Sequence, residues 1–209
     1  MGFSLTRMEE MWQKAVREFA EKELRPRTRD LDDAGELPKE LVKRMGSLGY
    51  LGVVSPEEYG GAGMSHVARL LMIEEISKVY PPFGFFFQAA HLAIYAIQKF
   101  GTDEQKRKYL PSLISGDAIS CMAVTEQTGG SDPARMSTVA RVDGDRWVIN
   151  GRKVFITLSG VADVCAVLAK TGDRTYSIFI VEKGTPGFSV TRRESHMGMR
   201  SIPVCEVAF

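Results

Sequence analysis

The sequence lacks an excess of charge of either sign. Its 27 lysines and arginines nearly balance its 26 aspartates and glutamates, which gives a formal net charge of +1. Proteins that bind nucleic acid through the phosphate backbone carry clustered positive charge, so we expect no nucleic-acid partner. With 209 residues the chain can bury a sizeable core and form one or two domains.

Cysteine and histidine are also scarce. The three cysteines, Cys121, Cys165 and Cys205, are far apart, odd in number and surrounded by apolar residues. This pattern favours buried thiols in a reducing compartment over a disulfide framework. The three histidines are isolated from one another, so their spacing predicts no metal site.

Signals for export or membrane insertion are weak. The N-terminal segment contains Glu9 and Glu10 and no apolar core, which argues against a signal or transit peptide. Residues 1–6 fit the loose myristoylation pattern, but no basic cluster or second anchor accompanies them, and chance explains the match better. Residues 81–98 are uncharged, yet their prolines and polar residues favour a buried helix over a membrane span. We therefore expect a cytoplasmic protein without a membrane span.

The first half of the chain has the periodicity and the caps of helices. Thr6 and Glu9 have the spacing of a capping box, and apolar residues recur at helical intervals after them. Pro26 should weaken or end this first helix, and Pro38 should open a second. Further helices are expected at about 65–78, 85–100 and 103–115.

After Ser120 the pattern changes to short strands. The dipeptides Asp143-Gly144 and Asn150-Gly151 are strong hairpin signals between apolar segments. Strands are expected at 139–142, 147–149, 154–157, 164–168, 177–181 and 204–209. The sequence therefore predicts an α+β protein in which a helical domain precedes a β-rich domain.

The segment from 121 to 157 carries the clearest chemistry. Thr125, Thr128 and Ser131 supply hydroxyl groups, while the glycines at 129 and 130 let the backbone approach a ligand closely. An apolar strand that leads into such a loop can present several N–H and O–H donors on one side. These donors suit the carbonyls of a flavin and the oxygens of a pyrophosphate, although the loop alone is also ordinary turn chemistry.

Several ordered segments resemble the acyl-CoA dehydrogenase family. TEQTGGSD at 125–132, followed by NGRKVFIT at 150–157, resembles the family's flavin-contacting signature. PEEYGGAG at 56–63 is similar to the loop before the family's third helix, and FGTDEQKRKYLP at 100–111 to the segment after its buried helix. MGMR at 197–200 matches a further expected position. The order and spacing of these matches argue against coincidence.

The resemblance implies the fold, the cofactor and the reaction. It implies an all-α domain over 1–119 and an antiparallel, barrel-like middle β domain over 120–209 that is incomplete at its C-terminal end. FAD would be the cofactor, and an acyl-CoA thioester would be dehydrogenated to a trans-2-enoyl-CoA. An electron-transferring flavoprotein would accept the electrons, and the complete protein would be a homotetramer or homodimer in fatty acid metabolism.

The resemblance also implies which residues contact the flavin. By position they are Met122, Ala123, Val124, Thr125, Gly130, Ser131, Phe155, Ile156 and Thr157. Val124 and Thr125 would lie beside the pyrimidine end of the ring. Phe155 would pack against the ring, and Thr157 would hydrogen-bond near N5. Taken singly, Phe155 could be β-core and Thr157 a surface threonine, and only their register with the family pattern favours the flavin role.

Substrate contacts are expected from Ser131, Phe85 and Gln88. Ser131 would lie near both the pyrophosphate and the acyl-CoA. Phe85 and Gln88 fall where the family's uncharged helix meets the distal end of the acyl chain, and residues three apart share a helix face. Phe85 would then shorten the pocket.

Departures from the family pattern leave alternatives open. Gln127 replaces the usual proline, and Phe155 stands where many relatives carry tryptophan. No glutamate matches the family's catalytic base, so no catalytic residue is assigned, and Glu126 is interpreted as structural. Because the last predicted strand should leave an unpaired sheet edge, we expect part of a longer protein or a chain that depends on a partner. An acyl-CoA oxidase, a related flavin monooxygenase and a non-catalytic partner subunit remain alternatives.

Overall fold

The computed structural model describes residues 4–209, so Gly2 of the loose myristoylation pattern lies outside the described residues. The described residues form two compact units. The first contains the residues up to Gln88 together with 103–117 and 197–202. The second contains 89–102, 118–196 and 203–209. The domain boundary at residues 119 and 120 stays a prediction.

The first unit is helical. It contains α1 (Arg7–Phe19), α2 (Thr28–Ala34), α3 (Lys39–Ser47), α4 (His66–Val79), the first part of α5 (Pro81–Phe100) and α6 (Asp103–Ser115). The predicted capping box opens α1, because the Thr6 hydroxyl accepts a hydrogen bond from Glu9 N and the Glu9 carboxylate accepts one from Thr6 N. After α1 the chain passes through a π-helical turn and a 3₁₀ turn that contains Pro26. The short helix α2 was not predicted.

The core of the first unit consists of large apolar side chains from these helices and from the π-helical turn after α1. Those that are fully or almost fully buried include Val16, Leu24, Met45, Met72, Ile76, Phe83, Phe86, Leu110 and Leu113. Their spacing along each helix is the period of 3 to 4 residues that one buried face requires. No helix among residues 4–209 combines the length and the apolar character needed to cross a membrane.

The second unit contains eight strands and the last part of α5. The strands are β1 (Ser120–Ala123), β2 (Val139–Asp143), β3 (Arg146–Asn150), β4 (Arg152–Thr157), β5 (Val164–Lys170), β6 (Tyr176–Glu182), β7 (Ser189–Arg193) and β8 (Val204–Ala208). Strands β1, β2, β3, β5 and β6 form one sheet, and β4, β8 and β7 form another in that order. The α+β class is confirmed.

The five-stranded sheet is mixed, whereas both strand pairs of the three-stranded sheet are antiparallel. The Asp143-Gly144 turn joins β2 and β3 as an antiparallel hairpin, as predicted. β1 instead runs parallel to β5, and β2 pairs with β5 in the parallel direction at one position, so this sheet is not purely antiparallel, and the strands within residues 4–209 form no closed barrel. The hairpin predicted at Asn150-Gly151 is wrong, because β3 and β4 belong to different sheets.

Two further expectations concern the sheet edge and the thiols. The expectation of an unpaired edge at the last strand is wrong, because β8 lies between β4 and β7. The expectation of buried thiols is confirmed for all three cysteines. Cys121 and Cys165 are register partners on β1 and β5, and a hydrogen bond between them together with burial raises the pKa of Cys121. Such thiols are poor nucleophiles.

Candidate functional site

The candidate site is built in the second unit from the loop at residues 124–138, here called the signature loop, and from β4. Val154 N donates a hydrogen bond to the Thr125 carbonyl at 2.8 Å. Lys153 Nζ donates to the Val124 carbonyl at 3.0 Å. These bonds hold the start of the signature loop alongside β4, although the two segments are about 30 residues apart in the sequence.

The signature loop folds back on itself directly after this point. Glu126 and Gly129 exchange backbone hydrogen bonds of 3.2 and 3.0 Å. A Cβ atom on Gly130 would lie only 2.8 Å from Thr125 Oγ1, so a larger residue at this position would force the Thr125 side chain to shift. Further on, Asp132 Oδ1 accepts a hydrogen bond from Ala134 N at 3.1 Å. The loop therefore has a defined shape, in which Ser131 is exposed.

A buried ion pair lies beneath the signature loop. Lys153 Nζ is 2.9 Å from Glu126 Oε1, and the two side chains are 0 % and 3 % exposed. Burial lowers the pKa of Lys153, while Glu126 opposes that change. Burial also raises the pKa of Glu126, but hydrogen bonds from Ser137, Thr138 and Lys153 outweigh it and lower the pKa to about 2. Glu126 is therefore ionised and fully engaged at neutral pH.

A β-bulge in β4 turns an aromatic ring toward the surface. The register between β4 and β8 shifts between Lys153 and Ile156, and Phe155 in this bulge has φ +57°. The left-handed conformation costs a bulky residue on the order of 1–3 kcal/mol, so the surrounding structure must hold it. Phe155 is 61 % exposed, whereas Val154 and Ile156 on either side are buried. Bulges that re-aim a side chain in this way are common beside active sites.

The structure separates the predicted flavin residues into two groups by exposure. Ala123 and Ile156 are buried, so only their backbone atoms could face a ligand. The others are exposed or half-buried, namely Met122, Val124, Thr125, Gly130, Ser131, Phe155 and Thr157. All nine lie on β1, the signature loop or β4 of the second unit.

The predicted acyl-contacting residues lie on the helical unit. Phe85 is 42 % exposed on α5, and Gln88 is exposed one turn further along. Gln88 Oε1 accepts a hydrogen bond of 2.6 Å from Arg69 Nη2 on α4. By contrast Phe83, Phe86 and Phe87 are buried core residues. Of the four phenylalanines in this turn, Phe85 is therefore the one free to contact a ligand.

The sequence prediction missed two participants. Lys153 lies within the matching segment 150–157 but has no predicted role, and Arg69 lies outside the matching segments. A lysine within an apolar strand segment is a usable signal, because an inward position in a strand demands a buried partner for the charge. The Arg69 contact had no such signal, because Gln88 is 19 residues away on another helix.

The donor set fits a flavin. Three hydroxyl groups, those of Thr125, Ser131 and Thr157, are exposed or half-buried on the signature loop and β4, and the aromatic ring of Phe155 is exposed on β4. A flat heteroaromatic ring with carbonyl acceptors matches this combination of an apolar face and hydrogen-bond donors. Among residues 4–209, no cluster of three or more histidine, cysteine, aspartate or glutamate side chains could hold a metal ion.

Comparison with known protein families identifies this arrangement. The family model for the acyl-CoA dehydrogenase N-terminal domain matches residues 6–117, and the model for the middle domain of the same family matches residues 121–209. The chain belongs to the acyl-CoA dehydrogenase family. The predicted family and its two regions are confirmed.

Individual relatives support the assignment. A short-chain specific acyl-CoA dehydrogenase of Clostridium acetobutylicum is 41 % identical over 215 residues, which cover 100 % of this chain and 56 % of the relative. A glutaryl-CoA dehydrogenase of Mycobacterium smegmatis, solved in complex with FADH2, is 36 % identical with a TM-score of 0.92, covering 98 % of this chain and 53 % of that one. FAD as the cofactor of the family is thereby confirmed.

A third similar structure comes from work on electron transfer. It is a chain from the structure of the electron transferring flavoprotein of Acidaminococcus fermentans, 36 % identical with a TM-score of 0.93. The match covers 100 % of this chain and 56 % of that one. The chain thus spans little more than half the length of the relatives that it matches.

Proposed function

We propose that the chain supplies the flavin-contacting and acyl-contacting parts of an FAD-dependent acyl-CoA dehydrogenase. The observation that carries this proposal is the pairing of an exposed aromatic ring on a strained bulge with a hydroxyl-bearing loop bonded to the same strand. The left-handed conformation of Phe155 costs free energy, and its exposed ring recovers little of that cost by packing within the chain. Strained residues of this kind are concentrated at ligand-binding and active sites. The family membership supports the same assignment.

When bound, FAD would supply the hydride acceptor: the β-hydride of an acyl-CoA thioester would pass to the flavin while a base outside the candidate site takes the α-proton, which would leave a trans-2-enoyl-CoA and reduced flavin. Phe155 would pack against one face of the ring and exclude water from it. Thr157 would donate a hydrogen bond near N5, and Val124 and Thr125 would lie beside the pyrimidine end, where donors would stabilise negative charge. Ser131 would lie near the pyrophosphate and the acyl-CoA. A fixed hydrogen-bonded loop presents these groups without reorganisation during the reaction.

The substrate proposed for the complete enzyme is a short, branched or ring-bearing acyl-CoA. Phe85 and Gln88 share an exposed face of α5, and a phenylalanine ring there shortens the space for an acyl chain. Arg69 holds the Gln88 amide by a 2.6 Å hydrogen bond, which fixes that side of the pocket. The name of the short-chain specific relative supports this proposal.

The electron acceptor and the assembly of the complete protein are also part of the proposal. Electrons leave through an electron-transferring flavoprotein, which the similarity to a chain in the Acidaminococcus structure supports. The complete protein is a cytoplasmic homotetramer or homodimer in fatty acid metabolism. Its catalytic base is not among the residues of the candidate site, because Glu126 is engaged by Lys153 and by the exit of the loop.

Loss of the site hydroxyls is expected to weaken flavin binding. Ser131→Ala removes a donor near the charged pyrophosphate, worth about 1.5–3 kcal/mol or roughly tenfold or more in affinity, and Thr157→Val removes a donor near neutral N5, worth about 0.5–1.5 kcal/mol or roughly twofold to tenfold. The measurement is an FAD titration followed by flavin absorbance. Ser189→Ala and Thr191→Val provide matched controls, because both are exposed on β7 of the sheet that contains β4. Equal affinity and an equal flavin spectrum in all four variants would reject the site.

Removal of the Phe85 ring is expected to shift substrate preference toward longer acyl chains. Each additional methylene that can be buried gains about 0.8 kcal/mol, or roughly fourfold in specificity. The measurement is kcat/KM of the complete enzyme over a series of straight-chain acyl-CoAs. Phe100→Ala is the control, because Phe100 is 73 % exposed at the other end of the same helix. A parent that prefers long chains, or an unchanged profile in Phe85→Ala, contradicts the proposed pocket.

A further inference from the structure

Three consecutive residues at the start of the signature loop are bonded to two consecutive residues of β4. Lys153 Nζ donates to the Val124 carbonyl at 3.0 Å and to Glu126 Oε1 at 2.9 Å. Val154 N donates to the Thr125 carbonyl between them at 2.8 Å. Thr125, one of the proposed flavin contacts, is therefore fixed from both sides.

The Glu126 carboxylate also binds the far end of the signature loop. Ser137 N and Ser137 Oγ each donate to Glu126 Oε2 at 2.6 Å, and Thr138 N donates to Oε1 at 3.0 Å. One buried carboxylate thus joins the entry of the loop to its exit. The ten residues between them, 127–136, include Ser131, whose position depends on this closure.

Lys153 itself belongs to β4, the strand that carries the proposed flavin contacts Phe155, Ile156 and Thr157. It is the last residue of β4 in regular register with β8 before the bulge, and Phe155 follows two residues later. The anchored Lys153 side chain and the buried Ile156 side chain therefore bracket the strained residue. The ion pair therefore connects the Phe155 bulge in β4 to the signature loop that carries the Thr125 and Ser131 hydroxyl groups.

Charge pairing without a positioning role is a poor explanation for this arrangement. A buried lysine and glutamate pay a large desolvation cost, and an apolar pair of similar volume is often equally stable or more stable. What an apolar pair cannot do is accept three hydrogen bonds from the loop exit and donate one to the loop entry. The chemistry of both side chains is used in holding the loop.

We propose that Lys153 and Glu126 are a positioning pair that holds the signature loop and the Phe155 bulge in the geometry required for flavin binding. This inference rests on the proposed flavin site. It assigns to both residues an effect on flavin affinity that is separate from their effect on stability, and neither residue touches the flavin.

The test uses Lys153→Met, Glu126→Gln and the double variant, each as the 209-residue chain. FAD affinity is measured by titration, folding stability by urea unfolding, and amide exchange of residues 124–138 by mass spectrometry without flavin. Lys153→Met leaves a buried carboxylate unpaired, so it is expected to lose stability, and the double variant is expected to recover it. In the double variant, loop exchange should stay at least about tenfold faster and FAD affinity at least about tenfold weaker than in the parent.

The control is Arg152→Met, in the preceding residue of β4. Arg152 forms a 3.0 Å ion pair with Glu206, and in the described part of the chain its side chain makes no hydrogen bond to the signature loop. This variant should therefore match the parent in loop exchange and FAD affinity. Recovery of parental affinity together with stability in the double variant would overturn the positioning role. Faster loop exchange with unchanged affinity would overturn it as well. A parent chain that binds no FAD would instead reject the proposed flavin site itself, and the role toward flavin with it.

Discussion

The 209-residue chain, supplied with FAD and an acyl-CoA in the absence of oxygen, is expected to leave the flavin oxidised on the time scale of enzyme turnover. Removal of the α-proton of the thioester requires a free carboxylate or another base near the flavin ring. The two acids of the signature loop do not meet this requirement. Glu126 is buried with a pKa of about 2 and is paired with Lys153, and Asp132 caps the turn at Ala134.

The rate of flavin reduction by acyl-CoA is expected to be far below that of an enzyme with a catalytic base. General-base catalysis contributes about 10²–10⁴-fold, and incomplete positioning of the substrate adds to the loss. The measurement is anaerobic bleaching of the flavin absorbance with a panel of short and long acyl-CoAs. Dithionite serves as the control, since it should bleach the bound flavin whether or not a base is present. Stoichiometric bleaching by an acyl-CoA within seconds would show that a base within the chain had been overlooked.

Local signals in the sequence predicted local structure well. The Thr6–Glu9 capping box and the Asp143-Gly144 hairpin are both present, because each is decided by bonds within a few residues. Asn150-Gly151 carries the same turn signal but joins strands of different sheets. There, Gly151 exchanges backbone hydrogen bonds of 3.2 and 2.9 Å with Phe209, and this long-range pairing overrides the local preference.

In the candidate site, too, the sequence predicts local features and does not predict long-range contacts. The hydroxyl and glycine residues of the signature loop could be recognised from the sequence, since their type and order carry the resemblance. Which side chains reach the surface could not. Alternation along a regular strand would place Phe155 and Lys153 on one face, yet the bulge exposes Phe155 and leaves Lys153 buried. The partner of Lys153 lies 27 residues earlier, a distance at which sequence spacing predicts no contact.

A second buried carboxylate, in the helical unit, leads to a prediction about stability. Glu75 on α4 is 1 % exposed in its side chain and accepts hydrogen bonds from Arg17, Gln13 and Lys78 at 2.8–3.0 Å. Hydrogen bonding to Arg17 is the largest influence and, although burial opposes it, the pKa of Glu75 falls from 4.5 to about 2. The network joins α1 to α4, so its loss should loosen the packing of these helices.

Glu75→Gln is expected to destabilise the helical unit at neutral pH by about 1.5–3 kcal/mol, the usual value of hydrogen bonds to a charged group. The free energy of unfolding is measured in urea at several pH values. Since the folded-state pKa lies below the unfolded value, the stabilisation by ionised Glu75 is complete above about pH 4.5 and is lost as the pH falls toward about 2. The parent and the variant should therefore converge in acid.

Glu74→Gln is the matched control for this experiment. Glu74 is the preceding residue on α4 and pairs with the same Lys78 at 2.8 Å, but its side chain is 56 % exposed. Exposed pairs of this kind contribute about 0–1 kcal/mol, so the control variant should stay close to the parent at every pH. A pH-independent difference between Glu75→Gln and the parent would mean that packing of the side chain, and not its charge, stabilises the contact between α1 and α4. An equal loss in both variants would mean that burial of the carboxylate adds nothing to the ion pair.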